Sequence, residues 1–147
     1  MTLSTDEKRE LLRKVPLFEG ADDECLTVLS QEIREVTFET GEYIAREGEM
    51  GTGFYLIASG SATVQRHGKE IVHFGPGDYF GELSVLNHKP RVASVIATEP
   101  TCCLALASWE LDEVLKANPR IAVMMLKEAG RRLHALEDDS SASSIAG

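Results

Sequence analysis

Two side chains of opposite charge, Glu82 and Arg91, stand at the ends of a segment unlike the rest of the chain, Gly81-Glu82-Leu83-Ser84-Val85-Leu86-Asn87-His88-Lys89-Pro90-Arg91. Gly81 lets the backbone turn sharply and come close to a ligand. Glu82 to Leu86 is compatible with one short helical turn. The first amides of such a turn have no partner within the helix and favour an anion. Pro90 ends the excursion and Arg91 follows at once. Its guanidinium stays charged and offers paired donors to two phosphate oxygens, each charge-assisted bond contributing about 1.5–3 kcal/mol. A lysine there would keep the charge and lose the fork. Glu82 has a different use, because a carboxylate beside a phosphate repels it. It suits the hydroxyl that a ribose carries near its phosphate, for which it is an acceptor. Together these residues describe a pocket for a sugar phosphate. Taken singly, each has a plainer reading: a surface Arg–Glu pair worth little, and a glycine in a turn.

The totals restrict what else the chain does. It has 147 residues, about one domain, and its apolar fraction of 43% is enough for one core. The net charge of −9 argues against a nucleic-acid binder, whose affinity comes largely from clustered Lys and Arg. Asp22-Asp23-Glu24 and Glu137-Asp138-Asp139 would repel a duplex, so DNA binding is not expected and any bound phosphate must be held locally. Cys25, Cys102 and Cys103 form no CxxC pair, so neither a zinc site nor a disulfide framework is signalled; the last two simply fill a strand. His67, His73, His88 and His134 lie on separate elements with no His-x-His pair, which speaks against a metal-dependent jelly-roll enzyme. No nucleophile motif stands out, so neither catalytic nor metal-ligating residues are assigned. No apolar run is long enough for a membrane span and the N-terminus lacks the pattern of a signal peptide, so a cytoplasmic location is expected.

The elements that must position the segment can be read from periodicity. Ser4-Thr5-Asp6-Glu7 is a capping-box pattern followed by Leu11, Leu12 and Val15 at helical spacing, and Pro16 stops that helix. Asp22 caps a second helix with Leu26, Leu29 and Ile33 on one face. Short strands are predicted at Val36–Phe38, Tyr43–Ala45, Phe54–Ile57, Ala62–Val64, Ile71–Phe74, Asp78–Phe80, Val92–Ala97 and Cys102–Leu106. Turn signals separate most of them, at the spacing of an all-β sandwich, barrel or jelly roll. Ser108 is expected to cap a helix over Trp109 to Lys116, with Trp109 a core or helix-packing residue. Asn118-Pro119 then opens a longer helix to about Leu136, with Ile121, Met125, Ala129 and Leu133 or Leu136 as its apolar stripe. Residues 138–147 are small and polar and read as a disordered tail or linker, which leaves 1–137 as the domain.

The motifs resemble a known family. Phe80-Gly81-Glu82-Leu83-Ser84-Val85-Leu86, a short spacer, then Pro90-Arg91-Val92-Ala93-Ser94-Val95 resembles the phosphate-binding cassette of the cyclic-nucleotide-binding domain family. That family includes kinase regulatory subunits, gated channels and the catabolite activator protein. The likeness extends to Val15-Pro16-Leu17-Phe18, Gly41-Glu42-Tyr43-Ile44, Glu47-Gly48, Phe54 to Gly60 and Pro76 to Glu82, in order and spacing, over roughly residues 10 to 136. The resemblance implies a mainly β fold with flanking α-helices: an eight-stranded, jelly-roll-like β-roll with N-terminal helices and a C-terminal lid helix. It implies that Glu82 takes the ribose 2′-hydroxyl and Arg91 an exocyclic phosphate oxygen. The amides of Leu83, Ser84, Val92 and Ala93 then approach the phosphate, and Gly81 allows close passage of the sugar. Arg91 is accordingly expected at the pocket and outside the core.

Family members that prefer cGMP tend to carry Thr directly after the cassette arginine. Val92 stands there in this chain, which favours cAMP, with cGMP the less favoured ligand. If the strand begins at Val92, Ser94 shares its face and offers a hydroxyl to the base. Arg132 and Leu136 are candidates to cover the base from the last helix, Arg132 by stacking; as a plainer reading, Arg131 and Arg132 are a solvated helix end. The expectation is a non-enzymatic regulatory module with a protein effector of unknown identity, and a homodimer through the C-terminal helix is an arrangement the sequence allows. Alternatives are the sensor half of a catabolite-activator-type transcription factor, a stand-alone bacterial binder, or a sensor fragment of a channel or kinase.

Overall fold

The computed structural model describes residues 3–15, 18, 21–50, 53–81 and 90–138. Helix α1 (Thr5–Arg13) starts on the reciprocal cap its sequence predicts: Glu7 N donates to Ser4 Oγ at 3.1 Å and Ser4 N to Glu7 Oε1 at 3.0 Å. It stops at Arg13, short of Pro16, which lies outside the described residues. Helix α2 (Asp23–Glu32) carries the expected Asp22 cap, with Cys25 N donating to Oδ1 at 2.9 Å. Its stripe is buried through Leu26, Leu29 and Ile33.

Eight strands follow among the described residues: β1 (Arg34–Phe38), β2 (Tyr43–Ala45), β3 (Gly53–Ser59), β4 (Ala62–Arg66), β5 (Lys69–Phe74), β6 (Tyr79–Phe80), β7 (Ser94–Ala97) and β8 (Thr101–Ala107). They form two antiparallel sheets of four, ordered β1-β8-β3-β6 and β2-β7-β4-β5. This is the expected β-roll with flanking helices. Most strand ends shift by a residue or two, and one shift matters for function. Val92 and Ala93 stand in a bend ahead of β7 and do not belong to it.

The pleat divides the core in two. In β3, Tyr55 and Ile57 face the other sheet while Phe54 and Leu56 face the helices; in β8, Cys103 faces inward while Leu104 and Leu106 face outward. The outer cluster joins those residues to Leu12, Phe18, Leu26, Leu29, Leu111 and Ile121 from the helices. The inner cluster includes Ile44, Ala62, Val64, Phe74, Phe80, Ala93, Val95 and Ala97.

Two more helices follow among the described residues, α3 (Ser108–Ala117) and α4 (Pro119–Asp138). Ser108 is not the cap of α3. Ala107 occupies the N-cap position, and its amide donates to the Glu110 carboxylate at 2.9 Å, a longer side chain reaching back over the first turn. Nor is Trp109 a core residue. It is 63% exposed, because α3 turns Glu110, Leu111 and Val114 inward instead. The Asn118 side chain donates to Val114 O at 3.2 Å, finishing α3 where Pro119 begins α4. Ile121 and Met125 of the predicted α4 stripe are buried. Among the described residues, no helix is long and apolar enough to cross a membrane.

Candidate functional site

The Glu47-Gly48 turn, which Gly48 makes with φ +85°, holds the backbone of Arg91. Gly48 N donates to Arg91 O at 2.9 Å and Arg91 N donates to Glu49 O at 2.8 Å, next to a β-bridge between Met50 and Pro90. The turn is itself pinned from both sides. Glu47 N donates to Ser94 Oγ at 2.9 Å, while the Glu47 carboxylate accepts from His67 N at 2.8 Å and lies 3.1 Å from His67 Nδ1. The Ser94 hydroxyl, expected to reach a base, serves this turn, and Val92 on its bend does not share a strand face with it. Val92 itself is 46% exposed.

From that anchored backbone the Arg91 side chain runs inward. It is 6% exposed, contrary to the expectation that it lies outside the core. Nη2 donates to the Gly53 carbonyl at 2.6 Å, and Cζ lies 5.9 Å from the centroid of Phe80. Room for the guanidinium comes from Gly81. A Cβ on Gly81, whose φ is +97°, would sit 2.6 Å from Arg91 Nη1 and closer still to Gly53 O. Burying a cation costs several kcal/mol unless hydrogen bonds and opposite charge offset it, so a buried arginine aimed at a backbone carbonyl is a position built for a purpose. An aromatic row lines the interior beside it: Phe38, Tyr55, Phe80 and Phe74 follow one another at centroid distances of 6.4, 5.4 and 6.0 Å.

The structure thus brings Phe80, Gly81, Arg91 and Ala93 together. Glu82, Leu83 and Ser84 lie outside the described residues, as does the predicted helical turn they begin. Arg132 and Leu136 lie on α4, and their side chains, with those of Ala129 and Leu133, are likewise outside the description. The neighbouring Arg131 is described. It holds Glu128 through Nε at 3.0 Å and Nη2 at 2.5 Å, and that hydrogen bonding raises its guanidinium pKa above the ordinary value. Reasoning from sequence missed the Gly53 carbonyl and the pairing of Arg91 with Glu49. The Glu47-Gly48 turn was the one available signal for the second; nothing marked the first.

The three cysteines are not poised as thiolates. Burial raises the thiol pKa of Cys25 and Cys102, and pushes that of Cys103 up to about 12, so each stays protonated at neutral pH. Among the described residues, no three His, Cys, Asp or Glu side chains gather in a way that could hold a metal. A cleft of about 580 Å³ between α1 and the outer side of the β1-β8-β3 sheet, lined by Leu11, Thr37, Ala58 and Cys102 among others, lies away from Arg91.

Comparison with known proteins now bears on this geometry. Residues 35–118 match the sequence profile of the Cyclic nucleotide-binding domain. A cGMP-dependent protein kinase of Toxoplasma gondii is 40% identical over 112 residues, which cover 76% of this chain and 11% of the kinase. Among solved structures, the catabolite activator protein of Thermus thermophilus superposes with a TM-score of 0.76 at 29% identity, covering 83% of this chain and 60% of that one. The regulatory domain of Toxoplasma gondii PKA, crystallised with cAMP, superposes with a TM-score of 0.75 at 28% identity, covering 86% of this chain and 50% of that one.

Proposed function

The chain belongs to the cyclic nucleotide-binding domain family, and from that premise we propose that it is a non-enzymatic switch which binds cAMP in preference to cGMP and signals through α4. The observation that carries the reading is the buried Arg91, fixed by backbone bonds on one side and by the Gly53 carbonyl at 2.6 Å on the other. In an acidic protein, a guanidinium held this way is a seat for one phosphodiester. Under this reading Arg91 takes an exocyclic oxygen, the amides of Leu83, Ser84, Val92 and Ala93 surround the phosphate, and Glu82 accepts from the ribose 2′-hydroxyl. Gly81 and Phe80 let the sugar pass close, and Arg132 or Leu136 covers the base. The domain runs from 1 to 137, with 138–147 a disordered tail or linker. The module works in the cytoplasm on a protein effector. Val123 and Leu126, 49% and 71% exposed one turn apart on α4, suit a homodimer through that helix.

Preference for cAMP rests on Val92, which offers a guanine no hydroxyl. A cGMP reading is supported by the 40% identity to a kinase named as cGMP-dependent. Titration calorimetry with both nucleotides side by side decides between them, tighter binding of cGMP overturning the preference. For the site itself, Arg91→Ala is expected to weaken nucleotide binding by about tenfold or more, the equivalent of one charge-assisted bond, and Arg91→Lys by less. Equal affinity of wild type and Arg91→Ala would remove Arg91 from the site.

A further inference from the structure

Strand β6 is two residues long, and its side chains leave on opposite faces. Phe80 faces the roll interior, stacked on Tyr55 and Phe74 with the Arg91 guanidinium carbon 5.9 Å from its ring centroid. Tyr79 faces the helices. Its ring lies 5.9 Å from that of Phe54, and its hydroxyl donates to Glu128 Oε1 on α4 at 3.2 Å. Both partners are buried, Tyr79 to 5% exposure and Glu128 to 8%. Arg131, one turn further along α4, closes on both oxygens of the same carboxylate. A buried carboxylate is costly, and an apolar residue there would serve packing as well or better. Among the described residues β6 pairs only with β3, so a shift of β6 breaks no second ladder there.

We propose that Tyr79 and Glu128, locked by Arg131, are the strap that carries the state of the phosphate cassette to α4. A displacement of Arg91 or of the backbone at Gly81 moves Phe80, β6 moves with it, and the Tyr79 hydroxyl transmits the shift to Glu128. The strap rests on the reading of α4 as the signalling element and supplies the side chains that reading lacks.

The test reads hydrogen exchange of the α4 amides, with β8 amides as the internal reference, in the full chain without ligand. Tyr79→Phe removes only the hydroxyl and is expected to speed exchange in α4 about fivefold while β8 stays unchanged, a local opening and not a global one. Glu128→Gln, which keeps an acceptor for Tyr79, is expected to fall between wild type and Tyr79→Phe. Coupling to the cassette is read by a cycle: Arg91→Lys alters α4 exchange in the wild-type background, and less than half as much when Tyr79 is already Phe. Additive effects, or an unchanged α4 in Tyr79→Phe, overturn the strap. Titration of wild type with cAMP and cGMP stands apart from this cycle. If neither binds while the cycle remains coupled, the nucleotide reading falls and the strap survives.

Discussion

The two faces of the β1-β8-β3-β6 sheet are built from alternate residues of the same strands, yet they are furnished for different work. The helix-facing side is built mainly from large apolar residues, with Phe54, Leu56, Leu104 and Leu106 meeting Leu12, Phe18, Leu26 and Leu29, each at 2% exposure or less. The inward side carries Tyr55, Ile57, Phe80 and Cys103, and across the roll it meets Ala62 and Ala97 of the other sheet, Ala93 ahead of β7, and the buried charged side chain of Arg91. A guanidinium inside a roll adds little to stability and costs some of it. Hydrophobic burial on the other face supplies the difference, at about 25 cal/mol for each Å² of apolar surface removed from water. The division lets one strand keep the fold with its odd side chains and hold a ligand site with its even ones, or the reverse.

The sharpest way to break that comparison is to strike the helix face. Phe54 meets Phe18 edge-on at 6.2 Å and Tyr79 at 5.9 Å, and is 1% exposed. Phe54→Ala is expected to destabilise by about 3–5 kcal/mol in urea unfolding. A loss below about 1 kcal/mol would mean that the helices are ornament on a self-sufficient roll. A smaller and more local effect is expected on the inner face. Gly81→Ala places a Cβ against Arg91 Nη1 and forces an L-residue to φ +97°. The conformation alone costs about 1–2 kcal/mol, and the displaced guanidinium should cost about tenfold in cyclic-nucleotide affinity. Unfolding and calorimetry on the same preparation separate the two. Lost stability with unchanged affinity would place Gly81 on the structural side of the division.

Much of this architecture is legible in the sequence. An all-β sandwich, barrel or jelly roll followed from short strand runs between turn signals, and the first two helices from Ser4, Glu7 and Asp22, because such signals are local properties that a sequence displays directly; the choice of a roll came from the family resemblance. What sequence reading missed are relations between distant residues or choices between neighbours. Ser108 is a good cap by type, but the helix begins one residue earlier, on Ala107, whose amide donates to Glu110 three residues on, and Glu110 also takes Arg34 Nη1 at 2.8 Å. Trp109 looks like core by type and is turned out by one residue of helix phase. Arg91 was assigned to the site, but its depth was not, since burial depends on the Gly53 carbonyl and on the side chain that Gly81 lacks, both distant in sequence. The strap between Tyr79 and Glu128 spans 49 positions of sequence and leaves no local pattern at all.

Glu110 allows the mildest test of the same division. It is 6% exposed on the helix face, where a polar group is tolerated because both contacts are satisfied: the Ala107 amide at the helix start, and Arg34 from β1. Glu110→Ala strands the amide but leaves Arg34, 56% exposed, free to return to water. The expected loss is therefore that of a helix cap, about 1 kcal/mol, and not the larger cost of a broken buried ion pair. Glu110→Gln keeps an acceptor for the amide and should recover most of it. Because Glu110 sits on the face that holds the fold, neither change should alter cyclic-nucleotide affinity in calorimetry. A shift in affinity without a shift in stability would show that β1 and α3 take part in the site, and that the two faces are not as separate as their side chains suggest.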